Sequence, residues 1–515
     1  MPTLRLNLFE RHEKATLAAI LFVFVLISLG TVTSMPTVFA DEPPYTDPAA
    51  SLYFGDGFTS TMWAQAPHAF WCGNVPLYQF LLYLSFKCFG FGFFQARLVN
   101  VLLTAGGAFL IWSAVRRAGI LRAPLWRLGC VILILSGSVS TQTFRTIRPD
   151  TTMFFVCTAV FFFSSLPAGS RARYWLAGLS SALLPVAGVP MLPYAGMVIL
   201  IHILCFGLAD LELLFSIGLG LAGGIGILAA FYNHFSSIKT FAEIVLPFTG
   251  LGGAQNGSYF ASKIFGNYPD GSHADSIFTC FFGRPFEFIE PKTMFDCSAA
   301  LLFLVFLVAG FSSWRAADRT VRRRIWFVIL FTLLVPPVMH FAGHYRCMYR
   351  WMTYIPLTIA TPWLLGLDLA IKKSVSFQWL AAIAIGVAVA LGVPARTLHA
   401  ISNRAERSAG PIERAATARV RPDDVVVCSL KAWFAVRPHA RLVYCCDLPS
   451  RGALEKTVDL PANRVSLLCL FPKDCDRVIR AVGGNWEKVP AGNSLEIAAL
   501  GKTRYAADFY RRKPD

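Results

Sequence analysis

The feature that most restricts the fold of this chain is its series of long apolar runs. A helix needs about 17–25 apolar residues to cross a bilayer, and fewer where flanking side chains reach the interface. Runs that approach this length predict eleven spans, near residues 15–35, 93–115, 126–144, 151–167, 174–190, 193–209, 213–232, 298–313, 325–342, 351–370 and 376–394. Hydrophobic residues make up 55% of the chain and charged residues 15%, against about 45–50% and about 25% in soluble domains. The sequence therefore predicts an all-α polytopic membrane bundle.

The net charge of +17 is the second constraint. A strongly basic chain can bind nucleic acid, but the basic residues here stand at the ends of the apolar runs. That placement is typical of membrane topology and of contact with anionic lipids. We therefore expect membrane lipids, and no nucleic acid, among the partners.

The basic clusters also orient the chain, because Lys and Arg concentrate in cytoplasmic loops. They lie near residues 5–14, 116–122, 171–173, 315–324 and 372–373. If all of them face the cytoplasm, an even number of crossings separates each pair, which requires that residues 75–93 do not cross. We expect that apolar stretch to be an interfacial or re-entrant helix at the outer surface. The first span also resembles a cleaved signal peptide, and both interpretations place Asp41 outside.

The acidic residues gather on the predicted outer face. Asp41 and Glu42 directly follow the first span, and Asp150 ends a short turn that also contains Arg148. A basic and aromatic group in the stretch "GHYRCMYRW" comprises His344, Tyr345, Arg346 and Arg350. The predicted outer loops span 36–92, 145–150, 233–297 and 343–350. Plainer interpretations exist, since acids at the ends of spans can be solvated and Asp150 can cap the next helix.

Residues 395–515 differ in character from the spans of residues 1–394. Charged residues become more frequent, and short apolar runs appear in "DVVVCSL" (424–430), "RLVYCC" (441–446) and "RVSLLCLF" (464–471). Such runs predict buried strands alternating with short helices, and so a small α/β domain. Eleven crossings place this domain outside, where an oxidising compartment allows some cysteines to pair; they are Cys428, Cys445, Cys446, Cys469 and Cys475.

Three motifs in this order resemble a known family. The first span is followed by Asp41 and Glu42; "PLYQFLLYLSFKCFGFGFFQARLVNVL" comes next, and an Arg-x-Asp turn follows the third span. The stretch "RWMTYIPLTIA" (350–360) is similar to a late Arg-Tyr-x-x-Pro-x-x-Pro motif but lacks its second proline. Together they resemble the GT-C glycosyltransferases, nearest to the protein O-mannosyltransferase and lipid A aminoarabinose transferase branches.

The resemblance implies an enzyme of a bacterial inner membrane that acts at the outer face. Such enzymes move a sugar, with inversion, from a polyprenyl-phosphate donor to an acceptor hydroxyl on a lipid, glycan or protein. The acceptor needs a general base within hydrogen-bond reach, and the departing phosphate needs positive charge or a metal. We expect Asp41 to be the base, with Glu42 as the second choice. Asp150 either orients the acceptor or joins Asp41 in holding a divalent cation.

The same resemblance assigns donor-binding residues. Arg148 and Arg350 are candidate phosphate clamps, because guanidinium groups match phosphate geometry. Arg346, His344 and Tyr345 join them as candidate substrate-binding residues, although an interfacial role also fits His344 and Tyr345.

Three other functions are also compatible with a polytopic membrane protein of this kind. A ligase or polymerase of envelope polysaccharides would take the same donor to a different acceptor. A transporter of lipid-linked sugars usually has ionisable residues within its spans or paired broken helices. A scaffold would use its C-terminal domain to bind partners, and would not need to bind a donor.

Overall fold

The computed structural model describes residues 2–38, 41–62, 70–72, 75–119, 124–136, 144–189, 191–208, 210–239, 241–242, 392–446, 462–489 and 500–513, with scattered positions in 319–334 and 379–390. Up to residue 242 the described chain is mainly helical. The helices are α1 (Pro2–Thr31), α2 (Glu42–Phe54), α3 (Pro76–Phe89), α4 (Phe93–Arg117), α5 (Pro124–Ser136), α6 (Asp150–Ser164), α7 (Arg171–Ala187), α8 (Met191–Phe206) and α9 (Leu211–Phe235).

Each of the first seven predicted spans coincides with a helix. Three described helices are long and apolar enough to cross a membrane: His12–Thr31 within α1, Phe93–Arg117 and Leu211–Phe235. Three shorter helices, α5, α6 and α8, are also apolar. The predicted spans after residue 297 lie wholly or largely outside the described residues, so the total of eleven stays a prediction.

The first helices run in alternating directions. Near the start of α1, Glu13 accepts hydrogen bonds from Trp112, near the end of α4, and from Arg127, near the start of α5. At the other end of α1, the carbonyl of Val32 accepts a hydrogen bond from Arg97, near the start of α4. Thr31 accepts one from Arg145, in the turn before α6. Helices α1 and α4 are therefore antiparallel, which is the arrangement that the charge pattern predicts for the two crossings between the first basic clusters.

Two short helices occupy the segment between α1 and α4. Helix α2 begins with two prolines after Glu42, positions where the missing N–H groups cost no hydrogen bond. Helix α3 has 14 residues, fewer than the roughly 20 that a crossing needs. It buries Tyr78, Leu82 and Phe86 against the rest of the protein. Its length agrees with the prediction that residues 75–93 do not cross the membrane.

The C-terminal part contains a five-stranded sheet. Its elements are α10 (Val393–Ser402), α11 (Gly410–Arg419), β1 (Val425–Cys428), α12 (Trp433–Val436), β2 (Leu442–Cys445), β3 (Leu467–Leu470), α13 (Cys475–Val482), β4 (Trp486–Lys488) and β5 (Asp508–Arg512). The strand order is β2-β1-β3-β5-β4. Strands β1 to β3 pair in parallel, and β5 pairs antiparallel with β3 and β4. The three predicted strands are thus present, whereas β4 and β5 were not predicted.

The predicted pairing of cysteines is not found. Cys445, Cys428 and Cys469 lie side by side in register across β2, β1 and β3. The sulfur atoms of Cys428 and Cys445 are 3.9 Å apart, far longer than the roughly 2.05 Å of a disulfide. All five cysteines of the sheet region are buried, and none forms a disulfide within the described residues, so they act as small apolar side chains of the core.

The sheet region packs directly on the helical part. Aromatic rings of Trp433 and Phe434 contact Phe91 beside α4. The hydroxyl of Thr61 donates to the carbonyl of Val443 at 2.5 Å. Buried residues from both parts belong to one continuous hydrophobic core. The segment that carries Asp41 is therefore held between the helices and the sheet.

Candidate functional site

Arg148 brings the two predicted acids together. Its Nε donates to Oδ2 of Asp150 at 2.8 Å, and its Nη1 donates to Oδ2 of Asp41. The side chains of Arg148 and Asp150 are each 3% exposed, whereas that of Asp41 is 24% exposed. Asp41 and Arg148 lie 107 residues apart in the chain, so only the fold makes them neighbours. The result is one accessible carboxylate fixed by a buried ion-pair network.

Neither acid acts mainly as a helix cap. Asp41 stands at the N-cap position of α2 but makes no capping hydrogen bond through its side chain. Asp150 is the first residue of α6, after Pro149 at the N-cap position. An acid at that place still interacts favourably with the helix dipole. Both carboxylates instead accept hydrogen bonds from Arg148. A capping role does not explain these bonds.

Glu42 points in a different direction from Asp41. Its two carboxylate oxygens accept hydrogen bonds from Nε and Nη2 of Arg97, at 2.8 and 2.7 Å. The N–H of Ile147 also donates to Glu42, at 2.8 Å. Both side chains of this ion pair are 0% exposed. Glu42 thus links α2 to α4 and to the turn before α6, and its carboxylate is shielded from a substrate.

Polar side chains of α3 and α4 hold the turn that carries Arg148. The side-chain amide of Asn100 donates to the carbonyls of Thr146 and Arg148 and to the hydroxyl of Thr151. The hydroxyl of Tyr78 donates to Asn100 at 2.8 Å. Because Asn100 and Tyr78 are fully buried, these bonds restrict where Arg148 and Asp150 can lie.

The charges of the site are balanced. Three arginines (Arg97, Arg145, Arg148) face three acids (Asp41, Glu42, Asp150). Burial by itself lowers the pKa of Arg148, but the charges of Asp150 and Asp41 outweigh it, so the pKa of Arg148 is raised and the side chain stays charged.

Arg145 is in the opposite situation to Arg148. Burial and the nearby charge of Arg97 lower the pKa of Arg145 to about 9. Its Nη2 donates to Thr31, while its Nε and Nη1 have no hydrogen-bond partner within the described part of the chain. Arg145 therefore adds positive potential close to Arg97.

The arrangement of Asp41 and Asp150 does not fit a divalent cation held between them. The guanidinium of Arg148 occupies the position between the two carboxylates. Across the described ranges, no group of three or more His, Cys, Asp or Glu side chains has a geometry that could hold a metal ion. We derive no step of the chemistry through a metal.

The structure thus joins Asp41, Arg148 and Asp150, and separates Glu42 from them. The guanidinium of Arg148, predicted to clamp phosphate, is engaged by carboxylates. The predicted substrate-binding residues His344, Tyr345, Arg346 and Arg350 lie outside the described residues.

Two residues of the site were missed in the sequence. Arg97 and Asn100 lie within an apolar run and, with Thr104, repeat at i, i+3 and i+7. That spacing places all three on one face of a helix. Polar side chains on one face of a predicted span often mark a functional interior, so this signal was present.

Two solved structures share the architecture of the whole chain. A crystal structure of ArnT from Cupriavidus metallidurans bound to undecaprenyl phosphate aligns with 97% of this chain and 99% of its own, at 13% identity and a TM-score of 0.62. The apo state of the same protein aligns with 98% and 99%, at 12% identity and a TM-score of 0.61. This chain has the GT-C fold.

The alignments with ArnT include both the helical part and the C-terminal sheet. An oligosaccharyltransferase from Archaeoglobus fulgidus is a weaker match, with 10% identity, a TM-score of 0.49 and coverage of 88% of this chain and 69% of its own. The fold assignment rests on the two ArnT structures. The sequence by itself matches no family model and no curated protein.

Proposed function

We propose that this protein is an integral membrane glycosyltransferase that moves a sugar from a polyprenyl-phosphate donor to an acceptor hydroxyl. The observation that carries the proposal is the accessible Asp41 carboxylate, joined through Arg148 to Asp150 in a protein with the GT-C fold. The ArnT structure of that fold was solved with undecaprenyl phosphate, which supports a donor of this class. The basic clusters favour an outer active site in a bacterial inner membrane.

Asp41 serves as the general base in this proposal. The acceptor hydroxyl passes its proton to Asp41 while its oxygen attacks the anomeric carbon of the sugar. The bond from that carbon to the phosphate oxygen breaks, and the lipid phosphate departs with the electron pair. A base must lie within about 2.6–3.2 Å of the proton it takes. Asp41 meets the requirement of access, whereas Glu42 is buried and bonded to Arg97.

Arg148 and Asp150 hold the base in place. Arg148 donates to both acids at once, so its planar guanidinium fixes the direction of the Asp41 carboxylate. Asp150 compensates the positive charge of Arg148, which leaves the site nearly neutral when the donor is absent. In this role Arg148 is a positioning residue and need not contact the donor phosphate.

The donor phosphate then needs other cations. We assign it to Arg350, with Arg346, His344 and Tyr345 as further binding residues, on the strength of the late sequence motif. A bidentate clamp needs the planar guanidinium, which Lys cannot replace. We therefore expect Arg350→Lys to raise KM for the donor and lower kcat, and Arg350→Ala nearly to abolish transfer. If Arg350→Lys behaves as wild type while Arg346→Lys fails, the clamp is Arg346.

The acceptor is first identified by mass spectrometry of envelope lipids, glycans and proteins from cells that contain or lack this protein. Sugar transfer from a purified polyprenyl-phosphate donor to that acceptor is then measured with the protein in lipid nanodiscs. We expect Asp41→Asn to keep donor binding and to lower transfer by about 10²-fold or more. The matched control is Asp423→Asn, since Asp423 is an exposed acid of the sheet region. Normal transfer by Asp41→Asn would remove the proposed base, and failure of the wild type to bind any such donor would reject the function.

A further inference from the structure

A groove separates α1 from α4 at the end of the protein opposite to Asp41. It has a volume of about 630 Å³ and is lined by Lys14, Leu17 and Leu21 of α1 and by Phe109, Arg116 and Arg117 of α4, among others. We name it the α1/α4 groove. Its volume lies within the range of about 300–1,000 Å³ that is usual for small-molecule sites.

The α1/α4 groove is charged at one end and apolar at the other. Along α1, Lys14 is followed one and two turns later by Leu17 and Leu21. Along α4, which runs in the opposite direction, Phe109 precedes Arg116 by two turns. Both helices therefore place their cations at the same end of the groove. The apolar half remains accessible, because Phe109 is 44% exposed.

The positive charges of the groove are not fully compensated by a carboxylate among the described residues. Glu13 is 2% exposed and accepts two hydrogen bonds from Arg127, both at 2.7 Å. Arg116 lies 3.9 Å from Glu13 and keeps a side chain that is 42% exposed. Lys14 and Arg117 form no ion pair with a carboxylate in the part of the chain that the structure describes. Among the side chains that the structure describes here, Lys14, Arg116, Arg117 and Arg127 face one acid, which leaves a surplus of three positive charges.

Aromatic rings hold two of these cations in position. The guanidinium of Arg116 stacks over Trp112 at 5.3 Å, and that of Arg117 stacks over Phe162 of α6 at 4.6 Å. Trp112 is itself fixed by a hydrogen bond from its indole N–H to Glu13. Trp112 is buried and Phe162 is half-buried, so the fold positions the two rings on which these arginines rest.

We propose that the α1/α4 groove binds an anionic phospholipid of the leaflet opposite to the catalytic site. The headgroup phosphate lies among Lys14, Arg116 and Arg117, and an acyl chain runs along Leu17, Leu21 and Phe109. Basic pockets between membrane helices are suited to anionic headgroups. A zwitterionic lipid would leave the positive charge uncompensated, and a soluble phosphate would not fill the apolar half.

The experiment measures lipid retention by native mass spectrometry of the full-length protein. The probes are phosphatidylglycerol and phosphatidylcholine with identical chains, and glycerol phosphate without chains. We expect phosphatidylglycerol to be retained preferentially, and Lys14→Gln and Arg117→Gln each to weaken its binding about fivefold. The matched control is Arg171→Gln at the start of α7, an exposed arginine on the same predicted side but outside the groove.

A second variant tests the apolar half without changing any charge. Ala18, which also lines the groove, becomes larger in Ala18→Phe, and we expect this variant to retain less phosphatidylglycerol. Equal retention of both lipids by the wild type would overturn the proposal. So would equal weakening by Arg171→Gln, or competition by glycerol phosphate as effective as that by the lipid.

Discussion

Glu42→Gln removes the negative charge from the buried ion pair between α2 and α4 while leaving the shape of the side chain almost unchanged. In the wild type, Arg97 donates to both oxygens of Glu42, and neither side chain is exposed. In Glu42→Gln one of these acceptors becomes an amide group that faces a donor of Arg97. Arg97 keeps its carbonyl partners Pro36 and Thr37 but loses its only described carboxylate.

The cost follows from the burial of the charge. Removing one partner of a buried ion pair typically destabilises a protein by about 3–5 kcal/mol, because the other charge stays behind in a medium of low dielectric. Arg145 adds to the cost, since its charge acts on Arg97 and Glu42 no longer offsets it. Asp41→Asn is the contrasting change. Its carboxylate is 24% exposed and Arg148 retains Asp150, so we expect a loss of no more than about 1 kcal/mol.

The assay compares two quantities in detergent for both variants. Thermal unfolding followed by tryptophan fluorescence should show a midpoint lowered by several degrees in Glu42→Gln and close to wild type in Asp41→Asn. Transfer per folded molecule should show the reverse order, with the larger loss in Asp41→Asn. A Glu42→Gln protein that melts like the wild type but transfers no sugar would refute this reasoning and move the base one residue along the chain.

Three further predictions concern the supports of the site. Arg148→Lys keeps one positive charge but loses the two separate planar donors, Nε and Nη1, that hold Asp150 and Asp41. We therefore expect kcat to fall about tenfold or more with little change in KM for the donor. Arg437→Ala removes the cation that lies 3.8 Å from the buried Asp47, which keeps its hydrogen bonds from Ser60 and Thr61. Hydrogen exchange should therefore become faster in α2, as mass spectrometry would show. Burial raises the pKa of Asp424, but hydrogen bonds to its carboxylate, above all from Arg511, lower it more. The net result is a lowered pKa. Ionised Asp424 therefore stabilises the folded protein above the unfolded-state pKa of about 3.9, and this stabilisation is lost as the pH falls from there through the lower folded-state pKa. Urea unfolding at several pH values should show this loss in the wild type and not in Asp424→Asn.

Each of these predictions has a contradicting outcome. An Arg148→Lys enzyme with normal kcat and raised KM would make Arg148 a donor ligand. Unchanged exchange of α2 in Arg437→Ala would mean that the sheet region does not hold that helix. An Asp424→Asn variant with the same acid dependence as the wild type would show that other carboxylates govern it. Arg441→Ala, a change of an exposed arginine of the sheet region, is the control for Arg437→Ala.

Much of the architecture was readable in the sequence because it depends on local patterns. Apolar runs predicted α4 and the spanning part of α1, His12–Thr31, to within a few residues, since burial in lipid requires continuous apolar sequence. They did not predict that α1 begins at Pro2. Short runs of branched residues predicted β1 to β3, which are buried on both faces. The later strand β5 has alternating polar residues and a charged end, and its place in the sheet depends on pairing with β3.

The sequence by itself determined that acids follow the first and third spans and that basic residues stand at the opposite ends of these spans. Tertiary structure alone decided which acid is accessible. Asp41 and Glu42 are adjacent at the start of a helix, where successive side chains point about 100° apart. Arg97 approaches from α4 on one side and Arg148 from the turn before α6 on the other. These partners lie 55 and 107 residues away, and contacts over such separations depend on how the helices pack, which no local pattern encodes.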